Sequence, residues 1–236
     1  MEKVFNRSIG DQISGDASML VKDGSGKVRT KSFNARIMIS NKDARIYLDF
    51  QAPVEAKGTR ILTHDYNSAE KTDDQWIYLP KLKKSTRIAS GNRSGSFMGG
   101  DFSYADMTQT NPASYNYKIL QESSKVGSTD CWLIGETPTT QAAASETGYA
   151  KSQHWVAKDT FIILQSKTWE YNSSRIKYIK YEDIRKIKDT FIVHKFSAQT
   201  QNDGKVESDT VVQFSNVNLA SNQFTQEDFS TRKLEH

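Results

Sequence analysis

Apolar and polar residues alternate at a period of two along most of this chain, and turn signals interrupt the alternation every few residues. Ile46, Leu48 and Phe50 alternate with Arg45, Tyr47 and Asp49. That is the pattern of a strand with one face buried. The same reading applies to Ile61 and Thr63 against Leu62 and His64, to Phe161 and Ile163 against Ile162 and Leu164, and to Ile192, His194 and Phe196. Residues 211–214 and 217–219 close the series. Between the strands stand Lys22-Asp23-Gly24-Ser25-Gly26, Asn41-Lys42-Asp43, Lys125-Val126-Gly127-Ser128 and Asn202-Asp203-Gly204. Asp203-Gly204 suits a hairpin, because both residues accept positive φ. Parallel strands would need long helical crossovers, so the pattern favours an antiparallel meander. Three stretches suggest helix: 2–9, 101–108 and 225–233. The last two open on capping-box signatures, Ser103 to Asp106 and Thr225 to Asp228. Pro53, Pro80, Pro112 and Pro138 all fall at expected strand ends.

A series of hairpins this long must hide or blunt its edges. A strongly curled sheet with short helices in its mouth meets that need, and its inward positions then form one apolar lining. The chain has 236 residues, within the range of a single large β domain, and neither an internal repeat nor a linker divides it. One domain over residues 1–236 is expected. Aromatics at 11% offset a modest hydrophobic fraction of 36%. The net charge of +4 is spread among acids, which does not favour a nucleic-acid stripe. No apolar run is long enough for a transmembrane helix. The closing Lys-Leu-Glu-His has the form of the start of a histidine tag, and Met1 is expected to stand where an export signal was removed.

The residues name no catalytic or metal centre. Cys131 is a lone cysteine in an apolar run, so it reads as a small buried hydrophobe. Gly24-Ser25-Gly26-Lys27 lacks the spacing and the following Ser or Thr of a phosphate loop and reads as a turn. His64, His154 and His194 each stand alone, without a metal-ligand spacing. No cofactor is implied.

The passage 74–107 stands apart. It opens as an aromatic strand with Trp76 and Tyr78, crosses the basic residues Lys81, Lys83, Lys84 and Arg87, and breaks into a Gly/Ser loop. That loop carries Phe97, Met98, Phe102, Tyr104 and Met107. Apolar clusters in loops mark a binding surface or a lid over one. Two readings stand here: a lid that plugs a cavity, or a loop pinned to the core. The basic cluster likewise reads either as a solvated hairpin or as a contact for an acidic membrane surface or partner.

Several motifs in this order carry a family resemblance. Asp74-x-Trp76-x-Tyr78-Leu79-Pro80 is followed by Arg87-Ile88 and by Ser96-Phe97-Met98-Gly99-x-Asp101-Phe102. Gln51-Ala52-Pro53 and Lys57-Gly58-Thr59-Arg60-Ile61-Leu62 precede them. Tyr115-Asn116-Tyr117, the run from Cys131 to Pro138, Tyr149-Ala150-Lys151, Trp155-Val156, Phe224-Thr225 and Leu234 follow. Together they resemble the outer-membrane lipoprotein-sorting family, the LolA-like carriers. The resemblance implies an α+β fold: a curled, unclosed antiparallel β-barrel with short helices forming a lid over an apolar hollow. It implies a non-catalytic periplasmic carrier of lipid or lipoprotein acyl chains. The implied partners are an inner-membrane transporter of the resistance-nodulation-division type or an outer-membrane acceptor, and not nucleic acid. The rival readings are an envelope sensor on the same fold and, with less support, a lipid-acting enzyme. The expected lining or lid residues are Trp76, Tyr78, Phe97, Met98, Phe102, Tyr104, Met107, Trp155, Leu164 and Trp169. Lys81, Lys83, Lys84 and Arg87 are the expected contacts for a partner or membrane.

Overall fold

The computed structural model describes residues 1–68, 71–109 and 111–235. A short helix α1 (Glu2–Phe5) precedes six consecutive strands: β1 (Gln12–Asp23), β2 (Val28–Ser40), β3 (Asp43–Ala52), β4 (Arg60–Asp65), β5 (Asp74–Leu79) and β6 (Lys84–Arg87). A crossing segment, 88–114, leads to β7 (Tyr115–Val126) and β8 (Thr129–Pro138). Helix α2 (Gln141–Thr147) precedes β9 (Tyr149–Ala157), β10 (Ile163–Glu170), β11 (Arg175–Ile187), β12 (Thr190–Asn202) and β13 (Lys205–Ala220). A one-turn 3-10 helix (Gln226–Phe229) and α3 (Thr231–Glu235) end the described chain.

All thirteen strands join one antiparallel sheet in the order β6-β5-β4-β3-β2-β1-β13-β12-β11-β10-β9-β8-β7. The meander runs outward from β1 to one edge, re-enters at the other, and returns so that β13 pairs with β1. Strands β6 and β7 are left as the two edges, so the barrel is curled but unclosed. The tight Asp203-Gly204 turn forms as its residues require, with φ of 48° and 75°. Phe161 is different: it takes φ 56° in the turn before β10, stacked on Trp132, so the alternation begins only at Ile163.

The described residues of segment 88–114 close the gap between the edges without adding a strand. Arg93 is buried within it, donating to Glu146 of α2 at 2.5 Å and to the Asp73 carbonyl before β5. The Gln109 N–H donates to Asp65 at the end of β4. One cation and one backbone amide thus tie the two halves of the sheet together across its opening.

The sheet buries its inner face and, along β2 to β5, its outer face as well. The inner face carries Met19, Phe33, Leu48, Phe50, Ile61 and Ile179, with Phe97 and Phe102 of the crossing segment packed onto them. The outer face carries Met38, Tyr47 and Leu62, covered by Phe229 and Leu234 of the C-terminal segment. This explains why β4 departs from simple alternation: Ile61, Leu62 and Thr63 are all buried, because each face of β4 has its own cover. The expected capping boxes form at Ser103–Asp106 and Thr225–Asp228, over single 3-10 turns rather than longer helices. Helix α2, which the periodicity does not announce, is capped by the Thr140 side chain and ends at Gly148 with φ 79°.

Candidate functional site: an apolar hollow with one polar wall

The curl of the sheet leaves two adjoining cavities of about 340 and 380 Å³ on its inner face. Ala35, Ile37, Ile163, Tyr181, Phe196 and Phe214 line both. Each cavity lies within the size range of small-molecule sites. The first is bounded almost wholly by hydrocarbon, including Ile13, Ile162, Phe191 and Val217. Val4, Arg7 and Ile9 of the N-terminal segment complete it, with Arg7 donating to the Phe191 carbonyl at 2.8 Å. The second cavity lies beneath Phe97, Phe102 and Met107, and Phe5 of α1 also lines it.

The crossing segment is firmly seated. Asp101 is buried, and its carboxylate accepts hydrogen bonds from the hydroxyls of Thr200 and Thr210 at 2.5 Å and from Ser208. Its own N–H donates to Thr210 Oγ1 at 2.8 Å. Gly100 makes this approach possible: a Cβ there would fall 3.0 Å from Thr210 Oγ1 and overlap the Met19 side chain. Gln75 Nε2 donates to the Tyr104 carbonyl, and Asp106 accepts from Tyr149 at 2.8 Å, with Lys177 donating to Tyr149 at 2.7 Å. Burial and the neighbouring Asp106 raise the Tyr149 hydroxyl well above its usual range, so it stays a donor. Of the two readings of this loop, the pinned one describes its packing, while its aromatic side chains still form a wall of the second cavity.

The expected lining residues divide by face. Phe97, Phe102 and Met107 line the second cavity. Met98 and Tyr104 are half-buried against the inner core beside it. Trp76 and Tyr78 lie on the opposite, outer face, against Leu62 and the C-terminal segment, because Gln75 and Ile77 take the inward positions of β5. Trp155 also faces outward and donates to Ser124 of β7, since its neighbours Ser152 and His154 face the cavity. Trp169 packs under Lys151 and Lys167, alternating with the inward Ser166 and Thr168. Leu164 sits where the register shifts between Ile163 and Gln165, and Ile163 takes the cavity position. One register choice per strand thus moves Trp76, Tyr78, Trp155 and Trp169 off the hollow.

The basic residues divide too. Lys81, Lys83 and Lys84 are exposed on the β5–β6 turn beside Leu82, itself 67% exposed. The β3–β4 loop adjoins this turn, Gly58 lying against Pro80, and presents Val54 at 86% exposure with Glu55 and Lys57. Arg87 stands at the other end of β6, paired with Asp74. The tip is therefore two exposed aliphatic side chains among lysines, without Arg87.

Inward positions of β8, β9 and β10 hold what the motifs could not show. Glu136, Ser152, His154, Ser166 and Thr168 all line the second cavity. Ser166 Oγ lies 2.8 Å from His154 Nδ1, and His154 Nε2 lies 3.5 Å from the Glu136 carboxylate. These residues sit on three strands and are far apart in sequence, which is why no motif joins them. Their order is that of a serine–histidine–carboxylate chain. Ser166, however, lies within a strand paired on both sides, so its neighbouring backbone N–H groups are committed to the sheet rather than to an oxyanion.

At the mouth, burial pushes the Asp65 carboxyl up to about 7, against the Gln109 hydrogen bond, with Asp73 and Asp43 adding to the rise. Folded Asp65 then holds its proton where the unfolded residue has lost it. Its contribution to stability is present at acid pH and is lost as pH rises from about 4 to about 7. Asp65→Asn should flatten that fall. Urea unfolding at pH 5 and pH 8 measures it, and an unchanged difference between the two pH values would contradict it.

A family described as "Uncharacterized protein" matches residues 42–236. The chain belongs to this family. No curated protein is similar to it. Among solved structures, it is similar to an outer membrane lipoprotein-sorting protein domain from Vibrio parahaemolyticus, with a TM-score of 0.88 and 22% identity over 100% of this chain and 96% of that one. It is also similar to a DUF1329 family protein from Desulfovibrio piger, with a TM-score of 0.85 and 25% identity over 99% and 94%. A LolA superfamily protein from Nitrosomonas europaea matches with a TM-score of 0.70 and 16% identity over 98% and 96%. The family member described here therefore has the LolA-like fold, a curled, unclosed antiparallel barrel.

Proposed function

We propose that the chain acts as one unit, residues 1–236, as a non-catalytic carrier in the periplasm. It holds an acyl chain of a lipid or lipoprotein in the hollow and hands it to another envelope component. The observation that carries this reading is the pair of adjoining, mainly apolar cavities inside a curled sheet of thirteen hydrogen-bonded strands. Each methylene moved from water into such a hollow is worth about 0.8 kcal/mol, so burial alone can hold a long chain. Phe97, Phe102 and Met107 form the fixed roof. The N-terminal segment, which reaches the cavities through Val4, Phe5 and Ile9, is the lighter cover. An inner-membrane exporter and an outer-membrane acceptor fit the roles of donor and recipient.

Loading and delivery require contact with a membrane. Lys81, Lys83 and Lys84, grouped around Leu82 and Val54, form a tip suited to an anionic lipid surface, where each lysine contributes about 1 kcal/mol. The test is transfer of a pyrene-labelled acyl lipid between vesicles containing anionic lipid. Reversing all three lysines to glutamate should slow transfer at least tenfold at low salt and leave binding of the acyl chain in solution unchanged. Transfer at the original rate would remove the tip from the account.

A further inference from the structure

The polar wall of the second cavity is at odds with a site that holds hydrocarbon alone. Glu136, Ser152, Ser166 and Thr168 are each at least nine-tenths buried, and all face the hollow with His154. Polar groups buried against an alkyl chain are costly unless they find hydrogen-bond partners. Here His154 Nε2 remains without one, stopping 3.5 Å from the Glu136 carboxylate. The facing wall, Phe33, Ala35, Ile37 and Leu48, offers only hydrocarbon. The hollow thus has an apolar side that continues into the first cavity and a polar side built across β8–β10.

The charges on the polar side set which head group fits. Asp106 already has its partners in Lys177, at 3.6 Å, and Tyr149. Glu136 has the imidazole, beyond hydrogen-bond contact, and the Tyr117 hydroxyl from β7, which lies outside the cavity lining, so the carboxylate keeps acceptor capacity toward the hollow. An anionic head would meet a carboxylate there. A hydroxyl or amide N–H would donate to Glu136, and a hydroxyl or carbonyl oxygen would accept from His154 Nε2 while Ser166 donates to Nδ1. We propose that Glu136, His154 and Ser166 form a head-group site for a single-chain amphiphile with an uncharged, hydrogen-bond-donating head, and that the site disfavours anionic heads.

This rests on the carrier reading, and the test separates the two. Full-length protein is loaded with the apolar fluorophore N-phenyl-1-naphthylamine and titrated at pH 8 with monododecanoylglycerol or with dodecanoate, which share one chain length. The glycerol ester should displace the probe at about tenfold lower concentration than dodecanoate, the ratio of one hydrogen bond to a charged group. Glu136→Gln, which keeps the side-chain volume, should bring the ratio of the two competitors, each measured against the variant's own probe binding, close to one. Equal competition in the wild type, or an unchanged ratio in Glu136→Gln, would overturn the head-group site while leaving the carrier intact. Failure of probe and both amphiphiles to bind would overturn the carrier reading, and the head-group site with it.

Discussion

Asp101→Ala should lower the stability of this protein by about 4 kcal/mol, measured by urea unfolding. The carboxylate accepts from Thr200, Ser208 and Thr210, on the two strands that close the meander against β1. Hydrogen bonds to a charged acceptor are worth roughly 1.5–3 kcal/mol each, and losing them leaves hydroxyls buried without partners. The backbone bond from Asp101 N–H to Thr210 survives, which keeps the loss below the sum of three bonds. For a chain of this size the midpoint of thermal unfolding should fall by about 10 °C. Asp101→Asn keeps one acceptor oxygen but points an N–H₂ at hydroxyl donors, so about half the loss is expected. A loss under about 1 kcal/mol for Asp101→Ala would mean that the crossing segment is not held by this cluster.

The second large effect falls on the ligand rather than on the fold. Ile37 lines both cavities and is half-buried, its remaining exposure facing the hollow. An indole there occupies the space where the cavities adjoin and leaves the core contacts of Phe33 and Ala35, its inward neighbours on β2, in place. Ile37→Trp should therefore reduce acyl occupancy to near zero and change stability by less than about 1.5 kcal/mol, because the added volume enters a void. A strongly destabilised Ile37→Trp protein would contradict this, because the indole would then be displacing packed core rather than filling a void.

The fold was legible because its cause is local. Period-two alternation and turn chemistry act within a few residues, and Asp203-Gly204 or the alternation through Ile46, Leu48 and Phe50 behaves in the structure as it reads. Which face looks inward was not legible for the tryptophans. Trp76 and Tyr78 are as apolar as a cavity lining demands, but here the outer face is also covered, by Phe229 and Leu234. A sheet buried on both faces gives the sequence two places to put an aromatic residue, and the strand register decides between them. The loop aromatics were legible in the simpler sense that a large apolar side chain in a loop must find a cover, and Phe97 and Phe102 do. The polar wall is not legible in the sequence because Glu136, His154 and Ser166 meet only after three strands have paired. Its trace in the sequence is a polar alternation, Ser152 with His154 and Ser166 with Thr168, which looks like an ordinary solvent face until the curl turns it inward.

Native mass spectrometry of the protein released from a periplasm tests the central claim most directly. The wild type should carry close to one acyl-bearing molecule per chain, recoverable by lipid extraction, and Ile37→Trp prepared alongside it should carry almost none. A wild type free of lipid, or an Ile37→Trp protein with the same bound mass, would contradict the account.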